Sequence, residues 1–384
     1  MDKIWDSGSY DRRSIRLGGT KVKNSIGTSV ILTLFGESHG PAIGVVLDGL
    51  APGLRVDEDF IAEQLARRRP SGSIDTARQE KDKFRILSGV YDGFTTGSPL
   101  AIMIPNEDVR SADYQVGVAR PSHADYAAEM KYHGFEDPRG GGHFSGRITA
   151  GIVAAGAICL KALEAKGVSI GTHILGCAGV SDRAFGLDPS EEIALLGARD
   201  FPVLDEQAGE AMRKAILAAK QDGDSVGGVL QTAVCGMPAG VGEPCFDSLE
   251  GMISKAIFAI GGIKGIEFGA GFALAQMRGS QANDPFRIKD GKVVTESNRS
   301  GGINGGLSNG MPLTFNMAVR PTPSIAKPQK SVDFRSGSEV TLEVRGRHDP
   351  AIVRRVCPVV TSMTAIVLCD ALALRYGTDY LATV

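Results

Sequence analysis

Two stretches of this chain are apolar on nearly every side, and they limit what it can fold into. Residues 149–166 carry Ile152, Val153, Ile158, Leu160 and Leu163 with little polar relief, and residues 358–376 are apolar almost all round. A helix without a polar stripe must be covered on every face, so both are expected inside, between layers. Thr149 reads as the cap of the first and Gly167 as its stop. Neither stretch reaches about 18 uncharged apolar residues, so no membrane span is expected.

Around these helices the pattern alternates. Residues 30–35, 43–48, 84–90, 100–104, 229–234 and 313–319 read as strands. Residues 56–69 read as a helix, with Asp57 as cap, acids in the first turn, three arginines in the last and Pro70 beyond. Residues 204–221 and 247–260 read as further helices. The strands come as hairpin-like neighbours with no βαβ rhythm, which predicts an α+β layered fold and not a doubly wound sheet. Residues 106–147 are polar and glycine-rich, and so long a stretch reads as functional. Residues 25–384 are expected to form one domain. Residues 1–24 read as a flexible extension lacking the apolar region of a secretory signal.

Of 384 residues 50 are glycine, against about 7% in ordinary usage, which points to many tight turns. The net charge of −2 argues against a general nucleic-acid or membrane-surface protein. Cys159, Cys177, Cys235, Cys245, Cys357 and Cys369 form no CxxC pair and read as buried reduced thiols, which suits the cytosol.

Three polar islands stand apart: Gly36-Glu37-Ser38-His39-Gly40, Arg120-Pro121-Ser122-His123-Ala124-Asp125 and Gly346-Arg347-His348-Asp349-Pro350. Each sets a His or Asp among glycines, prolines and arginines, which suggests one site built from three loops for proton transfer on an anion. Asp349 is equally an Asp-Pro turn former. The spacing of His39 and His123 fits neither HExxH nor a zinc pattern, so no metal is expected. His133 and His173 lack such surroundings and read as structural or exposed. Arg67-Arg68-Arg69 either balances a helix end or grips an anion. In Arg139-Gly140-Gly141-Gly142-His143-Phe144-Ser145-Gly146-Arg147, glycines lead into a helix start, which makes an anion site with Arg147 or a capped turn. It is neither a Walker A loop nor GxGxxG behind a strand. Arg320-Pro321-Thr322-Pro323-Ser324 is a rigid strand exit or a ligand loop.

Together, in this order and spacing, the islands, the Arg-Arg-Arg-Pro run and the glycine loop resemble the chorismate synthase family, from about Ile26 to Leu374. The resemblance implies a β-α-α-β sandwich with buried helices between antiparallel sheets, assembled as a homotetramer. It implies the 1,4-anti elimination of phosphate from 5-enolpyruvylshikimate-3-phosphate to give chorismate, with reduced FMN required and no net redox change. This is the last step of the shikimate pathway, in the cytoplasm. By motif position the catalytic residues are His39, placed to protonate reduced flavin, His123 at the leaving phosphate, and Asp349, which helps remove the C6 proton. Substrate contacts fall to Ser38, Arg68, Arg78, Arg120, Arg147 and Arg347. Cofactor contacts fall to His143, Phe144, Ser145, Gly261, Gly262, Gly305, Arg320, Pro321, Thr322, Pro323, Ser324 and Arg347.

The chain departs from the commoner family pattern at His143-Phe144, Gly261-Gly262, Arg320 and Thr361. It also lacks an arginine near Ile74. No separate reductase domain is visible, so an external flavin reductase is expected, with NAD(P)H only an indirect reductant. A flavin- or NAD(P)H-linked oxidoreductase using the same arginine-rich cleft is the alternative. A polynucleotide binder using Arg67 to Arg69 would need a basic-aromatic stripe that the chain lacks.

Overall fold

The computed structural model describes residues 24–75, 80–108, 116–344 and 349–382. Its two apolar helices, Thr149–Glu164 and Val353–Tyr376, lie against each other at the centre. The first packs on an antiparallel sheet ordered Ser25–Ile26, Ile31–Gly36, Ala42–Asp48, Leu100–Pro105, Arg85–Ser88. The second packs on another, ordered Ile263–Phe268, Leu313–Val319, Gly228–Cys235, Ser169–Cys177, Val180–Ser181. The result is the layered β-α-α-β sandwich of an α+β protein.

Alternation in the strands supplies the inner faces. Ile43, Val45 and Leu47 of the first sheet and Leu313, Phe315, Met317 and Val319 of the second are all buried. The two central helices touch because Gly156 has no side chain: a Cβ there would stand 2.6 Å from Ser362 Cα. The helical stretches Gly146–Glu164 and Val353–Tyr376 are long and apolar enough to cross a membrane by length and composition, contrary to the sequence expectation, but they are largely buried inside the protein. Core helices pass the same test.

Several boundaries differ from the sequence reading. Glu58–Arg68 is capped as expected, Phe60 N–H donating to Asp57 Oδ1 at 2.9 Å. Thr149 is no cap: its hydroxyl donates to Gly146 O at 2.6 Å and accepts from Arg68 Nε at 2.9 Å. The last helix starts at Val353, with Pro358 inside it. Leu249–Ile257 begins at a Ser248 cap. The polar region 106–147 holds an unforeseen helix, Asp125–Tyr132. Among the thiols, Cys245 is exposed and Cys235 half-buried, while the other four are buried.

Segments far apart in the sequence are tied together. Asp370, on the last helix, accepts from the N–H groups of Thr28 (3.1 Å), Ser29 (2.6 Å) and Val30 (2.8 Å). Of the extension expected over 1–24, only Asn24 is described, and its carbonyl accepts from Leu34 N–H at 3.0 Å. The remainder lies outside the described residues.

Candidate active site

The first island follows the strand Ile31–Gly36 and is fixed from across the site by the glycine loop. Ser38 N–H donates to Gly142 O at 3.0 Å, and His143 Nδ1 donates to Gly36 O at 2.8 Å. Gly140, Gly141 and Gly142 all have positive φ (62°, 81° and 53°), a run that side chains disfavour. It brings backbone against imidazole: a Cβ on Gly140 would lie 2.5 Å from His39 Nε2. Ser38 is fully buried, and its Oγ has no hydrogen-bond partner among the described residues.

The second island folds on itself. Ser122 at φ 61° reverses the chain, so that Arg120, His123 and Asp125 meet. Asp125 Oδ1 is 2.6 Å from His123 Nδ1 and 2.7 Å from Arg120 Nη2, while Oδ2 takes Arg120 Nε at 2.8 Å. Burial pushes the Asp125 carboxyl up, but the hydrogen bonds from Arg120 and His123 outweigh it and hold it far below the usual carboxylate range. Arg320 donates to Ser122 O, tying this island to the loop that follows the strand Leu313–Val319.

A cavity of about 330 Å³ opens where these pieces meet. Its wall includes His123, Gly140, Asp349, Gly261, Gly262 and the whole of Arg320-Pro321-Thr322-Pro323-Ser324. A second cavity, about 560 Å³, shares His123 and Phe144 with it. His123 and Asp349 thus face one space, and His39 stands directly behind Gly140.

The arginines are already engaged. Arg147, with Arg68 on the cavity wall, donates to Asn106 Oδ1 (2.9 Å), Pro105 O (3.0 Å) and the buried carboxylate of Asp82. Arg68 also reaches Asp82, at 3.5 Å, and donates to Gly146 O at 3.1 Å. These two guanidiniums reach an incoming anion only by giving up existing bonds. Arg67 turns elsewhere, toward Leu196 O, and burial pushes its pKa down.

Phe144 and Ser145 line the smaller cavity, and Ser145 Oγ accepts from Arg147 N–H at 3.2 Å. Gly305 does not join them: it forms the exposed turn of a hairpin between Ile303–Asn304 and Leu307–Ser308. Arg78 and Arg347 lie outside the described residues. One residue that the sequence reading passed over is Arg355, which lines the cavity and donates to Asp349 Oδ2 at 2.7 Å and to Arg68 O at 3.1 Å. Arg355 thus sets a guanidinium beside Asp349 from six residues further along the chain. His173, fully buried, bridges Asp182 and Gln231 at 3.2 and 3.1 Å and is structural.

Proton-exchanging side chains and paired arginines around one cavity in a layered α+β fold define a small-molecule enzyme. A family model described as chorismate synthase matches residues 30–373. The chorismate synthase of Pyrococcus abyssi is 45% identical over 351 residues, spanning 91% of this chain and 97% of that one. That of Aeropyrum pernix is 44% identical over 355 residues, 92% of this chain and 93% of its own. A crystal structure titled chorismate synthase superposes with a TM-score of 0.72 at 28% identity, covering 92% of this chain and 94% of that chain. The chain belongs to the chorismate synthase family.

Proposed function

We propose that this enzyme is a carbon–oxygen lyase that eliminates phosphate from 5-enolpyruvylshikimate-3-phosphate in a 1,4-anti sense, giving chorismate. The observation that carries this reading is the meeting of His123, Asp349 and, behind Gly140, His39 at one cavity in a chain of this family. The Arg120–His123 corner supplies positive charge to the departing phosphate, where charge develops as the C–O bond breaks. Arg355 holds Asp349 as an oriented carboxylate that receives the proton lost from C6. His39, held between the end of the strand Ile31–Gly36 and the glycine loop, exchanges a proton from behind Gly140.

Reduced FMN suits the other side of the cavity. Among the described residues a Cβ on Gly261 would meet nothing within 4 Å, and buried Thr322 Oγ1 has no hydrogen-bond partner, so a flat ring system and its polar groups find both room and a hydroxyl. When bound, reduced FMN supplies electron density for C–O cleavage and is regenerated. Gly261, Gly262, Ser145 and residues 320–324 would hold it. The reductant comes from outside, through a separate flavin reductase fed by NAD(P)H. The working form is a cytoplasmic homotetramer.

The test is an anaerobic assay with chemically reduced FMN and the pathway phosphate. Phosphate release without net flavin oxidation supports the lyase, and stoichiometric flavin oxidation establishes the oxidoreductase alternative instead. NADPH oxidation by the pure protein plus FMN would overturn the external reductase.

A further inference from the structure

We infer that Asp125 is a positioning residue for this reaction: its carboxylate fixes a proton on His123 Nδ1 and thereby presents Nε2 to the leaving phosphate. The inference rests on the lyase reading for its chemistry, but its geometry stands alone. Two groups compete for Nδ1. Asp125 Oδ1 lies 2.6 Å away and Arg120 Nη2 lies 3.0 Å away. If Nδ1 were bare, its lone pair would face a carboxylate oxygen at 2.6 Å, with only the longer Arg120 contact in return. That Nη2 is already directed at Asp125 Oδ1 at 2.7 Å. The proton therefore sits on Nδ1, and the tautomer is set.

The carboxylate is itself well held. It accepts from Arg120 Nε at 2.8 Å and Arg120 N–H at 3.0 Å, and it opens the helix Asp125–Tyr132, whose positive end favours an anion. The ring's far edge lies along Gly141, where a Cβ would stand 3.4 Å from Nε2, and His123 lines the cavity. With Nδ1 already protonated, any further proton taken by His123 goes on Nε2. The imidazolium then donates from Nε2 to a phosphate oxygen as the C–O electron pair moves onto phosphate. If that proton transfers, His123 returns to the neutral Nδ1–H form and proton balance is kept. Asp125 remains ionised throughout.

Two measurements decide this. In wild-type protein with histidine-selective 15N labelling, and with His123→Gln used to assign the signal, His123 is expected to be protonated at Nδ1 at neutral pH. Added inorganic phosphate is expected to shift Nε2. A neutral ring protonated only at Nε2 overturns the inference, and needs no variant of Asp125 to fold. Asp125→Asn keeps the shape but leaves one acceptor oxygen for four N–H donors and removes the charge. It is expected to lower kcat roughly 10- to 100-fold and to alter the pH profile of kcat, while Asp125→Glu recovers part. A rise in KM alone, with kcat and its pH profile unchanged, would reduce Asp125 to a counter-ion for Arg120 and overturn its role toward His123. Absence of phosphate release by the wild type would instead count against the lyase reading and leave the tautomer result intact.

Discussion

Arg355 joins two parts of the site. Its guanidinium orients Asp349 and also holds the carbonyl of Arg68 at the end of a neighbouring helix. Replacing it with alanine removes a hydrogen bond between charged groups, worth about 1.5–3 kcal/mol. If Asp349 acts as the base, kcat of Arg355→Ala is expected to fall about 10- to 100-fold, with Arg355→Lys intermediate. Steady-state kinetics beside a thermal melt separates this from lost stability. Asp182 acts on stability instead. Burial raises its carboxyl, but His173 and the N–H groups of Leu204, Arg183 and Asp205 bring it below the usual value. Its contribution is thus complete above the unfolded pKa, about 3.9, and is lost as pH falls through the lower folded value. Asp182→Asn is expected to lower stability at neutral pH and to flatten the acid limb of an unfolding series.

At the level of elements, the crossing of the central helices leaves no room for a side chain at Gly156. Gly156→Val places its Cβ in the Ser362 backbone, and overpacking of this kind costs about 1–3 kcal/mol or more. A lowered Tm with unchanged far-ultraviolet circular dichroism in the folded state is expected. A wild-type Tm would mean that the helices separate freely. These two helices were legible in sequence because an apolar helix has few alternatives to burial. Glu58–Arg68 was legible from Asp57 and the charge gradient. The helix Asp125–Tyr132 was not, since only Ala128 in it is buried and its apolar period is faint. The strand Ile263–Phe268 hid behind Gly261, Gly262 and Gly265, which break up any apolar alternation there. Pro358 looked like a helix start and lies inside one, which left Arg355 in an apparent loop. The three islands were visible as polar interruptions. That Asp349 would meet Arg355, and that Arg147 would turn inward to Asp82, depends on helix entry and long-range packing that spacing does not encode.

The whole molecule keeps most of its thiols out of reach. Burial pushes Cys177 up to about 11 and Cys357 up to about 12, so neither is a nucleophile in the folded state at neutral pH. Cys245 is exposed, on a 3-10 turn. A disulfide-exchange reagent is expected to label Cys245 rapidly in native protein, Cys235 more slowly, and the other four only on unfolding. Rapid native labelling of all six would mean an interior far more open than this one. The bond network at Asp370 has a further consequence, for biosynthesis. A ribosome makes a chain vectorially, and Asp370 emerges 340 residues after Val30, whose amide it holds. The Thr28 to Val30 segment of the first sheet stays untied, and one of the two central helices is missing, until Val353–Tyr376 has been made. The segment at Thr28 to Val30 therefore waits for its partner carboxylate through the synthesis of most of the chain between them.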